Sequence, residues 1–287
     1  MPGSAFKMSY ALALLVLLSR AGSVSSAESA SLTRRDSPVI DVATNGWGAS
    51  SVQDVEKVLA STAHEFLAFI PDNALKSIRV RHVEEGPKIL YERGLKGEHI
   101  ILLDSEDKHW AQLAYQFSHE LCHGLSNYDS EDKGKESPNQ WFAEVLCETA
   151  SLFTLRRMAV TWQSLPPYPN WKEYAPALKE YTDGKLNGKQ SQLPAGVSLE
   201  DWYRANENLL RSNPCLRELN DVAANLLLPL FEKEPEHWPA IRYLNLGKRD
   251  NTKSFRQYVQ EWHLHSPQKH QVFVEKVARL FDMQLSP

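Results

Sequence analysis

The sequence FSHELCHGL, Phe117–Leu125, contains two histidines four residues apart, with a glutamate directly after the first. Because an α-helix turns about 100° per residue, His119 and His123 lie about one turn apart on one face, where two imidazoles can bind the same metal ion. Glu120 projects to the side of that face and can reach a water molecule held by the metal. Two metal ligands and a general base are the parts of a His-Glu-x-x-His zinc site.

The alternative is a helix that carries two surface histidines and no metal. Apolar side chains surround the motif, since Tyr115, Phe117, Leu121 and Leu125 lie on the same stretch. Histidines without polar partners are costly on such a helix. Gly124 directly follows the second histidine and is a residue at which the helix can end. The pattern therefore favours the metal site.

A catalytic zinc takes three protein ligands and leaves a fourth position for water. The first candidate for the third ligand is Glu144 in WFAEVLCE, 21 residues after His123 and on the next predicted helix. Glu148, one turn further along that helix, can accept a hydrogen bond from a ligand histidine and orient its ring. The second candidate for the third ligand is Asp129, six residues after His123.

The His-Glu-x-x-His motif, followed about twenty residues later by a glutamate with an acid four residues beyond, resembles the gluzincin metallopeptidases. That family includes the thermolysin-like enzymes and the zinc aminopeptidases. The resemblance covers roughly residues 77–157 and implies that His119, His123 and Glu144 hold one zinc ion. It also implies that Glu120 is the general base and that the substrate is a peptide or a protein.

Several features depart from known patterns. Gluzincins pair Asn-Glu with an Asp four residues on, and this chain has Ala143, Glu144 and Glu148 at those places. No Gly-Ala-Met-Glu-Asn-like signature is present, which argues against a typical zinc aminopeptidase. Asp129 stands where metzincins place their third ligand, but Ser126 stands where they use a glycine. A metzincin-like peptidase that uses Asp129 is therefore the lesser alternative.

The resemblance has two further implications. The strand that precedes the motif helix, residues 98–103, is implied to be the sheet edge that binds substrate as an added strand. A tyrosine or histidine from the C-terminal half is implied to stabilise the oxyanion. The sequence does not choose among five candidates, which are Tyr203, Tyr243, Tyr258, His263 and His265.

The order of predicted elements indicates an α+β fold. A small mixed β-sheet and its helices, including the one that carries the motif, are followed by a mostly α-helical C-terminal half. Residues 162–200 are rich in proline and are predicted to form a long irregular connection. The predicted strands cover residues 39–42, 77–83, 88–91 and 97–103, and the predicted helices cover residues 51–69, 108–125, 138–160, 202–211, 216–230, 238–246, 254–262 and 272–281.

The N-terminus has the layout of a secretory signal peptide. Lys7 precedes the apolar run YALALLVLL, and small residues follow as far as Ala27. Residues 1–27 are therefore predicted to be removed on export to a periplasm or to the outside of the cell. The remaining chain divides into a zincin-like catalytic half, residues 28–160, and a helical half, residues 161–287, that closes the active-site cleft. We expect no membrane span in the mature chain.

Composition limits the other functions that need consideration. The chain of 287 residues has a net charge of -4 and no basic block longer than Arg34-Arg35, so nucleic-acid binding has no electrostatic support. A catalytically silent zincin-like protein that binds a partner stays open. A structural or carbohydrate-binding exported protein rests only on the eight tryptophans. Cys122 and Cys147 are predicted to pack together, as a disulfide or as two buried thiols. Ligation of zinc by a cysteine thiolate is the third and least favoured alternative. The sequence does not indicate the oligomeric state.

Overall fold

A computed structural model describes residues 37–71, 73–128, 137–248 and 250–286. The predicted signal peptide and Asp129 lie outside the described residues. Within them the structure confirms the predicted α+β class, with a small mixed β-sheet in the N-terminal half and a mostly helical C-terminal half. The described chain contains no helix that is long and apolar enough to cross a membrane.

The sheet contains four strands: β1 (Val39–Val42), β2 (Ser77–His82), β3 (Lys88–Ile89) and β4 (His99–Leu103). Their order in space is β1-β2-β4-β3. Strands β1, β2 and β4 run parallel to one another, and β3 pairs with β4 in the antiparallel direction. The two-residue strand β3 therefore forms one edge of the sheet.

The prediction that residues 98–103 form the edge strand is wrong, because β4 lies between β2 and β3. Four of its five residues, HIILL, are buried. A short apolar run without alternation is typical of a strand that is covered on both faces. The edge that borders the functional cavity belongs to β3 instead.

Three helices accompany the sheet: α1 (Val52–Leu67), α2 (Trp110–Leu125) and α3 (Gln140–Thr161). Helix α1 begins as predicted, since the Ser51 side chain caps it by accepting a hydrogen bond from the Asp54 backbone N–H. Helix α3 is buried around nearly its whole circumference and packs against α1 and α2. This central position holds the acids of α3 next to the motif helix.

The motif helix α2 ends at the predicted residue but begins slightly later than predicted. It starts at Trp110 rather than at residue 108, with His109 as its N-cap residue and no side-chain cap. The helix continues past Gly124 to Leu125. Gly124 instead permits close packing, since a Cβ atom there would stand 3.0 Å from the Leu75 side chain. The glycine thus lets α2 lie tightly against its neighbours.

The C-terminal half contains five helices in the described ranges. The prediction of an irregular connection over residues 162–200 is wrong in part, because helix α4 (Ala175–Leu186) forms there. Pro176 is in its first turn, where a proline is tolerated. Residues 235–243 form a 3₁₀-helix rather than the predicted α-helix. The remaining helices are α5 (Leu199–Ser212), α6 (Arg217–Lys233), α7 (Phe255–His265) and α8 (Gln268–Leu280).

A continuous hydrophobic core includes residues from both halves, from Val42 to Met283. Helix α3 connects them, because it packs against α2 on one side and against α4 and α6 on the other. Aromatic rings fill much of this core, and Trp141 at the start of α3 contacts Phe255 at the start of α7. Because α6 packs against α3, the beginning of α6 lies beside the cavity that the motif helix borders.

Candidate metal centre

Helices α2 and α3 bring three side chains to one point. His119 Nε2 is 3.1 Å from His123 Nε2 and 3.2 Å from Glu144 Oε2, and His123 Nε2 is 3.4 Å from the same carboxylate oxygen. Zinc bonds of about 2.0–2.1 Å in a tetrahedral site place neighbouring ligand atoms about 3.3 Å apart. The spacing of these three atoms therefore fits one zinc ion.

The electrostatics of this cluster follow from burial and charge. Burial raises the pKa of Glu144, but the two histidines lower it more, so that it lies well below its usual range. Burial lowers the pKa of His123, and the Glu144 carboxylate more than offsets this, so that the pKa rises to about 9. Without a metal the carboxylate is thus ionised and shares protons with the imidazoles. Zinc binding replaces such protons.

Glu148 lies behind His119, on the side away from the other ligands. Its Oε2 atom is 3.8 Å from His119 Nδ1, a charge contact that is longer than a hydrogen bond. The Tyr115 hydroxyl donates a hydrogen bond to the other carboxylate oxygen, Oε1. The carboxylate is therefore fixed by the tyrosine and faces the far nitrogen of a candidate ligand. This is the place from which an acid orients a metal-bound histidine.

Glu120 points to the side of the cluster and is only 3% exposed. The backbone N–H of Ile89, on β3, donates a hydrogen bond to its carboxylate. The next N–H group, that of Leu90, donates to the Ile100 carbonyl of β4. Because successive N–H groups of a strand point in opposite directions, the Ile89 N–H points away from β4 and can reach Glu120. Burial raises the pKa of Glu120, and the two histidines only partly offset this. The acid is therefore both positioned and made more basic.

A cysteine also lies near the histidines. The Cys147 sulfur, His119 and His123 can offer ligand atoms that lie within 4.8 Å of one another. Glu144 forms a tighter triangle and lines the cavity, whereas Cys147 is completely buried. The disulfide alternative for Cys122 and Cys147 is wrong, because both are free buried thiols. The carboxylate is thus the better third ligand on geometry.

The cluster opens into a cavity of about 540 Å³. One wall is formed by β3 and its flanking residues 86–92, and the others come from α2, α3 and the beginning of α6. The lining is mixed, with apolar residues beside polar and charged ones, as in many ligand sites. Of the predicted residues, His119, Glu120, His123, Glu144 and Glu148 all line it.

The five candidates for the oxyanion donor do not line this cavity. Tyr203 stacks on Trp141. Tyr258 donates a hydrogen bond to Asn245, and His263 lies 3.3 Å from Glu275. Tyr243 and His265, with Tyr258, border a much smaller neighbouring pocket. The implied choice among these five is therefore wrong for this cavity.

Several polar residues of the cavity escaped the sequence analysis: Tyr91, Tyr115, Gln116, Tyr128, Arg217, Asn220 and Asn245. A signal existed for Tyr115, which precedes His119 by four residues and so shares its helix face. Gln116 is on the same helix, three residues before His119, whereas the others come from loops and the start of α6, where local sequence does not reveal which residues face the motif.

Comparisons with protein-family models, with curated proteins and with solved structures give no match to this chain. The chemistry of the site must therefore be argued from the atoms that it contains. These are two imidazoles and a carboxylate at metal-ligand spacing, with a second buried acid beside them and a cavity in front.

Proposed function

We propose that the protein is an exported zinc-dependent peptidase that hydrolyses peptide bonds. The observation that carries this proposal is the triangle of His119 Nε2, His123 Nε2 and Glu144 Oε2, with sides of 3.1 to 3.4 Å. The triangle faces the cavity, and Glu120 stands beside it. A surface helix with two unrelated histidines has no reason to collect these two acids.

In this mechanism His119, His123 and Glu144 hold the metal and Glu148 orients His119 through its far nitrogen. Bound zinc supplies a Lewis acid that polarises the scissile carbonyl and acidifies water. Glu120 accepts a proton from the attacking water and passes it to the leaving amine. The new bond joins the water oxygen to the carbonyl carbon, and the carbon–nitrogen bond breaks. The hydrogen bond from the Ile89 backbone N–H holds the Glu120 carboxylate in place for these two proton transfers.

The substrate side of the proposal rests on the cavity. A volume of about 540 Å³ is enough for several residues of an extended peptide. The segment 86–92 lines it and includes β3, the edge strand of the sheet, and a sheet edge is a place where an extended peptide can bind. We propose a periplasmic or extracellular location from the signal-peptide layout of residues 1–27.

The test is the zinc content per chain of the mature protein, residues 28–287. The wild type should bind one zinc ion, and Glu144→Ala should lose it. Glu275→Ala is the matched control, because Glu275 also lies beside a histidine, His263, but far from the cavity lining. The control should keep its zinc.

Three results would contradict parts of the proposal. If Glu144→Ala keeps its zinc, Glu144 is not the third ligand, and Asp129 becomes the residue to substitute. If the wild type binds no zinc, the peptidase proposal fails. If it binds zinc but cleaves nothing in a mixed peptide library, the protein is a catalytically silent binding protein instead.

A further inference from the structure

Two positively charged side chains line the cavity, Lys88 and Arg217, and neither is paired with a residue that the structure describes. Arg217, the first residue of α6, lines the cavity and is exposed to it. Its guanidinium makes neither a hydrogen bond nor an ion pair with any residue that the structure describes. The nearest acids that influence it, Glu148 and Asp221, act through space only. Five donors in a rigid fork are therefore left for a ligand.

The buried acids of the same cavity are, by contrast, already engaged. Glu144 contacts both histidines, Glu148 accepts a hydrogen bond from Tyr115, and Glu120 accepts one from the Ile89 backbone. Their negative charges thus have local partners. The Arg217 guanidinium is left to solvent or to a ligand, as is the Lys88 ammonium, and Arg217 is the one that shares the start of α6 with Asn220.

A buried acceptor stands one turn away from this arginine. Asn220 also lines the cavity and is 4% exposed. Its Nδ2 atom donates to the Pro214 carbonyl at 2.8 Å, which fixes the orientation of the amide. Its Oδ1 atom is buried and has no hydrogen-bond partner among the described residues. Buried acceptors in proteins are nearly always paired, so this oxygen calls for a donor such as a peptide N–H.

The start of α6 adds to the positive potential. Helix α6 has 17 residues, and its N-cap residue, Leu216, provides no side-chain cap. The first backbone N–H groups of a helix lack partners within the helix and favour an anion. Arg217 carries the first of these groups, so its side chain and the helix end can act on the same anion. A carboxylate is the anion that a guanidinium binds with two parallel hydrogen bonds.

Arg217 also borders a second cavity, of about 790 Å³, on its other side. That cavity is lined by α4 and α6 residues that include Lys185 and Asp221. A ligand held at Arg217 therefore has room to continue beyond it. A peptide whose C-terminus lies at Arg217 fits this arrangement. A longer peptide that places an acidic side chain at Arg217 and continues into the second cavity fits it as well.

We propose that Arg217 binds a carboxylate of the peptide substrate while Asn220 Oδ1 accepts a hydrogen bond from a peptide N–H. The carboxylate is either the C-terminus of the peptide or the side chain of an aspartate or glutamate. This inference rests on the proposed peptidase function and gives it a substrate class. Arg217 is then a specificity-determining residue.

The test measures peptide binding by calorimetry to the zinc-loaded mature chain with Glu120→Gln, which prevents turnover. Three peptides share one sequence: one has a free C-terminal acid and a glutamine, one a C-terminal amide and the same glutamine, and one the amide with glutamate in place of glutamine. A carboxylate-bearing peptide should bind about tenfold or more tightly than the neutral one, as charged hydrogen bonds allow. The peptide that gains affinity identifies the source of the carboxylate.

Substitutions in the same background assign the effect to Arg217. Arg217→Gln should abolish the preference, and Arg217→Lys, which keeps the charge but not the fork, should retain part of it. The control is Arg204→Gln on α5, an exposed arginine that pairs with Glu200 away from the cavity. It should leave the preference unchanged.

The outcomes separate this inference from the peptidase proposal. Equal binding of all three peptides overturns the carboxylate site, while hydrolysis of the peptide library by the wild type leaves the peptidase proposal standing. A preference that survives in Arg217→Gln also overturns it. If no peptide binds and the wild type cleaves nothing, both proposals are overturned.

Discussion

The protein contains two pairs of histidines with nearly the same spacing. In the first, His119 and His123 place their Nε2 atoms 3.1 Å apart. In the second, His237 and His270 place their Nδ1 atoms 3.0 Å apart, between a 3₁₀-helix and α8. A search for close imidazole nitrogens would treat these pairs alike. Their surroundings show why only the first forms a candidate metal centre.

The difference lies in the acid that faces each pair. Glu144 points at both nitrogens of the first pair and raises the pKa of His123 to about 9. The acid near the second pair, Glu234, lies 3.7 Å from the opposite nitrogen of His237 and is bound by Lys276.

Glu234 therefore does not face the two Nδ1 atoms of the second pair, which packs against an aromatic side chain instead. The His237 ring stacks on Phe273 at a centroid distance of 4.9 Å, and burial lowers the pKa of His270 to about 4. A hydrogen bond between the two Nδ1 atoms, with His270 neutral, explains the short distance without a metal. In this protein, the pair that indicates a metal is the one at which a third ligand, the Glu144 carboxylate, meets both imidazoles.

The largest expected effect concerns Glu120, the second acid beside the first pair, compared with Glu234 beside the second pair. Glu120→Gln should reduce peptide hydrolysis about 10²- to 10⁴-fold while zinc stays bound, because it removes the general base but none of the ligands. The matched variant, Glu234→Gln, should leave hydrolysis unchanged. Initial rates at fixed zinc content measure both. Normal activity in Glu120→Gln would rule out the proposed mechanism and make the two pairs catalytically equivalent.

The first pair could be predicted from sequence because its signal is local. The spacing of His119 and His123 specifies one helix face, and the apolar residues around them specify the helix. Strand β1 and the Ser51 cap of α1 were predictable for the same reason, since each depends on a few adjacent residues. The second pair has no such signal, because His237 and His270 are 33 residues apart and meet only through packing.

Long-range contacts also explain the errors. The edge position of β3 depends on its pairing with residues of β4 that come later in the chain. The predicted strand 88–91 carries no local signal for this pairing, which displaces β4 from the edge. Helix α4 was hidden by Pro176, which a first turn accepts but a pattern search treats as a breaker. Arg217 faces the cavity only because α6 packs on α3, and nothing in its local sequence indicates this.

A smaller effect, on zinc affinity, is expected for Glu148, the acid that lies behind His119. Glu148→Gln removes the negative charge that lies 3.8 Å from His119 Nδ1, and it should weaken zinc binding about 10- to 100-fold. The control is Glu275→Gln, whose acid lies at a similar distance, 3.3 Å, from His263 in the C-terminal half. Competition with a chelator of known affinity measures both variants. Equal zinc affinity in Glu148→Gln and the wild type would show that the acid only supports Tyr115.

The smallest effect is the pH dependence of stability, for which the two pairs should act in opposite directions. The pKa of His270 is lowered to about 4, so the unfolded chain, with a histidine pKa of about 6.5, binds more protons between these values. Its contribution to stability is complete above pH 6.5 and is lost as the pH falls towards 4. The pKa of His123 is raised to about 9, so in zinc-free protein its contribution is complete below pH 6.5 and is lost as the pH rises through 9.

Denaturant unfolding of chelator-treated protein between pH 4 and pH 9 distinguishes the two pairs. A single group changes the free energy of unfolding by at most about 1.4 kcal/mol per pH unit. Relative to the wild type, His270→Gln should flatten the curve below pH 6.5 and leave it unchanged above that pH, whereas His123→Gln should flatten it above pH 6.5. Below pH 6.5, His123→Gln also changes the titration of Glu144, because His123 lowers the pKa of that carboxylate. If His123→Gln leaves the curve unchanged above pH 6.5, or His270→Gln leaves it unchanged below, the distinction between the two pairs fails.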